Sequence, residues 1–320
     1  MNLRARPVFD GRTRMSKVLG IEIGGTKLQI VAGDESANIL ARERFSVAPG
    51  SGAEGIRRQI ASALPALLKE WQPAAIGVGF GGPVDWRSGC IARSHQVEGW
   101  SGFHLAEWIR EMAGVPVIVE NDSNAATFAE AMRGAGAGRN PVFYFNLGSG
   151  VGGGLVVDGK IYHGQTPGEA EFGHVRLDKS GVTVEERCSG WAVDKRIRAL
   201  KASGVKSWLC EHLPATPGGE AKLLPQALAA GDAAAQQIVQ EVADDLAFAL
   251  SHVTHLFHPE VIVLGGGLSL IGEPLRAAVA ARLPRLVMEV FHGGPPVQLA
   301  ALGEDAVPVG ALLLAVGVEA

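Results

Sequence analysis

Apolar residues along this chain come in short dense runs, most of them closed by glycine or by a polar turn. Residues 17–23 read as a buried strand, and 27–32 with 39–45 as an antiparallel pair across the polar turn 33–38. Residues 53–71 carry Ile56, Ile60, Leu64, Leu67 and Leu68 at helical spacing. A strand over 74–78, a helix over 103–113, a strand over 115–119 and a helix over 121–132 follow. This βββαβαβα order is half of a doubly wound architecture. The theme then repeats with strands at 142–147, 153–157 and 160–162, the last two joined by an Asp158-Gly159 hairpin turn. After an irregular stretch over 163–186 come helices, among them a long one over 232–257 stopped by Pro259. A strand over 261–264 and helices over 273–283 and 308–316 complete the pattern. The expected fold is α/β, a duplicated pair of lobes with a cleft between them.

Composition sharpens this picture. Of 320 residues, 47% are hydrophobic and 19% charged, the balance of a soluble globular protein. With 33 acidic against 29 basic side chains the formal charge is −4, which offers no footprint for nucleic acid or an anionic membrane. The longest apolar stretch, near 307–318, falls short of the ~20 residues of a membrane span. Cys90, Cys188 and Cys210 are few and widely spaced, and read as reduced thiols of a cytoplasmic protein. Residues 1–16 are Arg-rich with no apolar run behind them, and are expected to be a tail.

Glycine changes the picture most. The 43 glycines cluster behind the apolar runs, at 24–25, 77–82, 148–154 and 265–267. A strand that runs into a glycine turn brings backbone close to a ligand. Gly24, Gly25 and Thr26, followed by Lys27, offer backbone N–H groups and a hydroxyl to an anion. Gly148, Ser149 and Gly150 repeat that form in the second half, so two loops face a phosphate chain from opposite walls. The turn Gly265, Gly266, Gly267 suits the approach of backbone to a flat adenine ring. Between them lies Glu120-Asn-Asp-Ser-Asn124, where a strand meets a helix. Asp122 or Ser123 is a natural N-cap there, and Asp122 is equally placed to be a general base. Glu169-Ala-Glu171-Phe-Gly-His174 adds carboxylates and an imidazole beside the second loop.

Five motifs stand in register: Gly20-Ile-Glu-Ile-Gly-Gly-Thr-Lys27, Gly81-Gly-Pro-Val-Asp85, Glu120-Asn-Asp-Ser-Asn-Ala-Ala126, Leu147-Gly-Ser-Gly-Val-Gly-Gly-Gly154 and Glu171-Phe-Gly-His174. Together they resemble the ROK family of sugar kinases and repressors, within the actin/hexokinase/Hsp70 fold, from about Lys17 to the C-terminus. The resemblance implies a glucokinase-like enzyme that phosphorylates a hexose hydroxyl with ATP and Mg²⁺. It implies Asp122 as the base and Gly82, Gln96, Asn121, Glu171, His174 and Glu185 as sugar contacts. It implies phosphate contacts from Gly24 to Lys27 and from Gly148 to Gly150, and adenosine contacts from Gly265 to Gly267. It also implies a homodimer, and lobes over 17–120 and 121–320 with the last helix packed back on the first lobe.

Several departures bear on this expectation. Glu22 stands where the family usually has an Asp that helps hold Mg²⁺, and is expected to serve there through water. Gln96 replaces the family's sugar-contacting Asn. No cysteine lies between Val175 and Glu185, where most members carry a Cys cluster for structural zinc, so no such zinc is expected. The family's repressors carry a DNA-binding segment before the first strand; with sixteen residues there and a net acidic chain, no nucleic-acid partner is expected. A catalytically silent sugar sensor, a fructokinase or N-acetylhexosamine kinase, and a polyphosphate-dependent glucokinase are the alternatives.

Overall fold

The computed structural model describes residues 16–318, apart from 26, 48–49, 94–96, 167, 169 and 292. The tail over 1–15, Thr26 and Gln96 therefore lie outside the described residues. The first half comprises β1 (Val18–Ile23), β2 (Lys27–Gly33), β3 (Ile39–Ser46), α1 (Gly52–Trp71), β4 (Ala75–Phe80), β5 (Val84–Asp85), β6 (Cys90–Ile91), β7 (Phe103–His104), α2 (Leu105–Ala113), β8 (Val117–Asn121) and α3 (Asp122–Arg133). The second half comprises β9 (Val142–Leu147), β10 (Val151–Val157), β11 (Lys160–Ile161), α4 (Val184–Cys188), α5 (Gly190–Ala202), α6 (Trp208–Glu211), α7 (Leu224–Ala229), α8 (Ala233–Phe257), β12 (Val261–Gly265), α9 (Glu273–Arg282), β13 (Val297–Leu299) and α10 (Ala306–Val316).

Two five-stranded sheets form, in the orders β3-β2-β1-β4-β8 and β11-β10-β9-β12-β13. In each, an antiparallel hairpin leads into parallel neighbours, so β1 and β9 occupy equivalent places. A third, small sheet of β5, β6 and β7 is absent from the sequence pattern, because two-residue strands carry no alternation to read. It also takes Phe103 and His104 out of the helix expected from 103. Elsewhere, β10 starts two residues before 153, and among its described residues the stretch over 163–186 holds a 3₁₀ turn at Phe172–His174 before α4 begins at Val184.

Each sheet has its own core. Leu19, Ile21, Ile23, Ile76 and Val78 pack against Ile56, Ile60 and Leu64 of α1 and Ile109 of α2. Phe143, Phe145 and Leu147 pack with Phe172 and with Ile238, Val242, Leu246 and Leu250 of α8. The helix α10 lies on β1, β4 and α3, and its Leu312 and Ala315 are buried with Val18, Val31 and Ala75. Glycine permits that seating: a Cβ on Gly310 would lie 2.0 Å from the Ala125 carbonyl oxygen of α3. Among the described residues, no helix is long and apolar enough to cross a membrane.

Candidate active site

The ends of β1, β8 and β9 and the start of α3 converge on one carboxylate. Asn121 closes β8, and its Oδ1 accepts from the backbone N–H groups of Ser123 and Asn124 at 2.9 and 3.1 Å. Asn121 is thus the N-cap of α3, a correction to the expected Asp122 or Ser123. Freed from capping, Asp122 occupies the first helical position. A Cβ on Gly81 would lie 3.4 Å from Asp122 Oδ2, and the Gly81 N–H donates to the Ile23 carbonyl at 2.8 Å. The carboxylate therefore sits beside the end of β1. Asn121 Nδ2 donates to the Gly82 carbonyl at 3.0 Å, which fixes the turn after β4.

Solvent reaches Asp122 only in part, and desolvation raises its carboxyl from the ordinary 3.8 to about 7. The Glu22 charge pushes in the same direction, as does Glu171, while hydrogen bonds from Ser123 oppose it. Glu22 lies directly opposite Gln29 in the β1–β2 register. Its Oε2 accepts from Gln29 Nε2 and lies 3.5 Å from Lys27 Nζ. Burial raises the Glu22 carboxyl, with Gln29 and Lys27 holding it back.

The first glycine turn links β1 to β2, with the Gly24 N–H bonded to the Lys27 carbonyl at 2.8 Å. In the second loop Ser149 is exposed and the loop leans on α5, whose Gly190 and Trp191 N–H groups donate to the carbonyls of Gly148 and Ser149. The later glycines of that motif serve packing instead: a Cβ on Gly154 would lie 2.1 Å from Thr127 Oγ1, so α3 rests directly on β10. Glu185 of α4 accepts from the Val151 N–H at 2.9 Å, tying it to the same loop. Glu171 and His174 are exposed at the two ends of the short 3₁₀ turn. Gly265 closes β12 and Gly266 follows with φ of 80°. Behind them the buried Tyr144 hydroxyl accepts from the Gly266 N–H, and burial raises this phenol above its ordinary value.

The ROK family model matches residues 18–318. The chain belongs to the ROK family. It is 30% identical to a glucokinase of Thermotoga maritima over 303 residues, covering 92% of this chain and 96% of that protein. A Streptomyces coelicolor glucokinase is 31% identical over 277 residues, 82% of this chain and 86% of its own. The crystal structure of a ROK glucokinase from Streptomyces griseus, in complex with glucose and AMPPNP, superposes with a TM-score of 0.80 at 29% identity. It covers 94% of this chain and 99% of that one. The two-lobed α/β fold is that of these ROK kinases.

In this ROK chain, Glu22 presents a hard carboxylate oxygen next to the first glycine turn, with the Asp122 carboxylate close by. That donor set fits Mg²⁺, which binds through one or two carboxylates and completes its shell with water and phosphate. Among the described residues no group of three or more His, Cys, Asp or Glu is arranged to hold a metal without such help. His252 and His255 of α8 and His258 at its C-terminal cap have separate occupations. His252 lies edge-on to Phe248, His255 Nε2 accepts from the Met288 N–H, and His258 stacks on Phe291. The sequence reading missed Gln29, whose role is visible only once Glu22 has a cross-strand partner. It also missed Glu120 and His163, which lie 43 positions apart and meet through the fold at 2.6 Å.

Proposed function

We propose that this ROK protein is an ATP- and Mg²⁺-dependent sugar kinase of the glucokinase type. The observation that carries this reading is Asp122. It is a carboxylate at a helix start that does no capping, is raised to about 7, and lies where β8 ends beside the end of β1 and Gly81. A base with that affinity for protons is matched to neutral pH. Asp122 would accept the proton of the attacking sugar hydroxyl, and Asn121, Glu171, His174 and Glu185 would fix the sugar by its hydroxyl pattern. Each hydroxyl ligand adds selectivity, because a bound sugar lacking the matching hydroxyl covers a polar group without pairing it.

The two glycine loops, Gly24 to Lys27 and Gly148 to Gly150, would grip the phosphate chain from opposite lobes, with Gly265 to Gly267 along the adenosine. Glu22 would help hold Mg²⁺, which neutralises the phosphate charge when bound. Phosphoryl transfer asks for little beyond such positioning and one group to orient the nucleophile. Glucose is the substrate favoured by the glucokinase relatives and by the glucose-bound structure described above.

The test is ADP release with Mg-ATP over a panel of hexoses and N-acetylhexosamines, with wild type beside Asp122→Asn. Turnover on glucose that falls at least ~100-fold in the variant is expected. Sugar binding by thermal shift without turnover on any member of the panel would replace the kinase with a sugar sensor.

A further inference from the structure

Outside the residues already given roles, one buried contact joins the two halves next to the reacting carboxylate. Glu120, only 2% exposed, is the residue of β8 just before Asn121. Its Oε1 accepts from the Asn121 N–H at 2.9 Å and from Asn124 Nδ2 at 3.0 Å. Its Oε2 meets His163 Nε2 at 2.6 Å. His163 comes from the other half of the chain, two residues beyond β11. Its ring stacks on Trp86 at 4.1 Å with 17° between planes, and Arg87 lies over the far part of that indole at 5.1 Å. Trp86 Nε1 has no hydrogen-bond partner among the described residues, so stacking and packing hold the ring.

We propose that His163 is a positioning residue: by bridging Glu120 and Trp86 it fixes the Glu120–Asn124 turn and so the aim of Asp122. The argument rests on connectivity. One carboxylate oxygen of Glu120 holds the backbone of the residue before Asp122 and the side chain two residues after it. The other oxygen is held by His163 alone among the described contacts. Without the imidazole, a buried carboxylate has one face unsatisfied, and such a group rotates or draws in water to recover partners. Either movement loosens the Asn121 N–H and Asn124 amide and shifts the start of α3. Displacements of about 1 Å at a reacting group cost on the order of 100-fold in rate. His163 also ties this turn to the second half of the chain.

The proposal rests on the kinase reading only for its rate arm, so two measurements are paired. His163→Gln keeps a donor near the place of Nε2; His163→Phe keeps a ring for Trp86 but no donor. Amide hydrogen exchange is followed without sugar or nucleotide. In His163→Phe, protection of Asn121 to Asn124 is expected to fall about 10-fold while that of α1 and α8 is unchanged, and His163→Gln is expected to recover most of it. In turnover, His163→Phe is expected to lose ~10- to 100-fold in kcat with the sugar KM within ~3-fold, and His163→Gln to regain most of that loss. Wild-type protection and kcat in His163→Phe would overturn the proposal, as would a loss expressed wholly in KM, the mark of a direct sugar contact. If His163→Phe does not fold, Glu120→Gln carries the same expectations and the same contrary outcomes. A wild type inactive on every sugar would defeat the kinase reading and leave the exchange arm to decide this one.

Discussion

As the proposed base, Asp122 would have to be ionised to take a proton, and burial raises its carboxyl to about 7. The kcat/KM of the free enzyme is therefore expected to fall on the acid side with a midpoint near pH 7, as measured in overlapping buffers. Glu22 is the leading charged contributor to that rise, so Glu22→Gln should move the midpoint to lower pH even as it weakens Mg²⁺ binding. A carboxyl raised by folding favours the native state below its unfolded value and opposes it as the pH climbs through its folded value. Asp122→Asn removes this opposition. The variant is expected to be more stable than wild type at pH 8 and to lose that advantage toward pH 4. Raising 3.8 to about 7, at ~1.4 kcal/mol per pH unit, bounds the gain at about 4 kcal/mol, which water in the cleft reduces. Paired thermal melts at the two pH values read it directly. The place of Asp122 was legible in the sequence, because a strand end and a helix start coincide there. The cap was not: Asn, Asp and Ser all suit an N-cap, and only the turn geometry assigns the job to Asn121.

At the level of elements, α3 is the part on which the site depends, since it begins at Asp122 and touches both sheets. It is pressed onto β10 through Gly154 and onto α10 through Gly310. Gly310→Ala would set a methyl 2.0 Å from the Ala125 carbonyl, and the helices would have to part. A loss of about 1–3 kcal/mol in urea unfolding is expected, accompanied by a fall in kcat, because α3 cannot move without Asp122. The long elements were readable from periodicity: β1, α1, α8 and β12 appear within a residue or two of where the apolar spacing put them. The small sheet of β5, β6 and β7 was not, and neither was the 3₁₀ turn carrying Glu171 and His174. Such short pieces are set by what they pack against rather than by a repeat of their own. The glycines of the second loop show the same limit. Their clustering announced close approach, while the division between ligand and helix emerged only when Gly154 was found under Thr127.

For the whole molecule, the glycine turn after β1 and the loop after β9 follow equivalent strands of the two sheets, a correspondence legible in the duplicated order of elements. A sugar that binds between them stabilises the native state by mass action. Glucose at ~100 times its Kd is expected to add about 2.7 kcal/mol, read as a rise in melting temperature, and a sugar that is not recognised is expected to give no rise. Contacts such as Glu120 with His163 have no counterpart in any local pattern, since a buried carboxylate and an imidazole 43 positions apart become partners only through the packing of the lobes.

The seat of α10 also has a meaning for synthesis. The first sheet has all its strands once Asn121 has been made, yet one face of β1 and β4 waits for residues 306–316. At ~5–20 residues per second the ribosome needs roughly 10–40 s to reach them. Throughout that interval Val18, Val31 and Ala75 lack their cover. The nascent chain thus has its longest need for a chaperone on the half that emerges first.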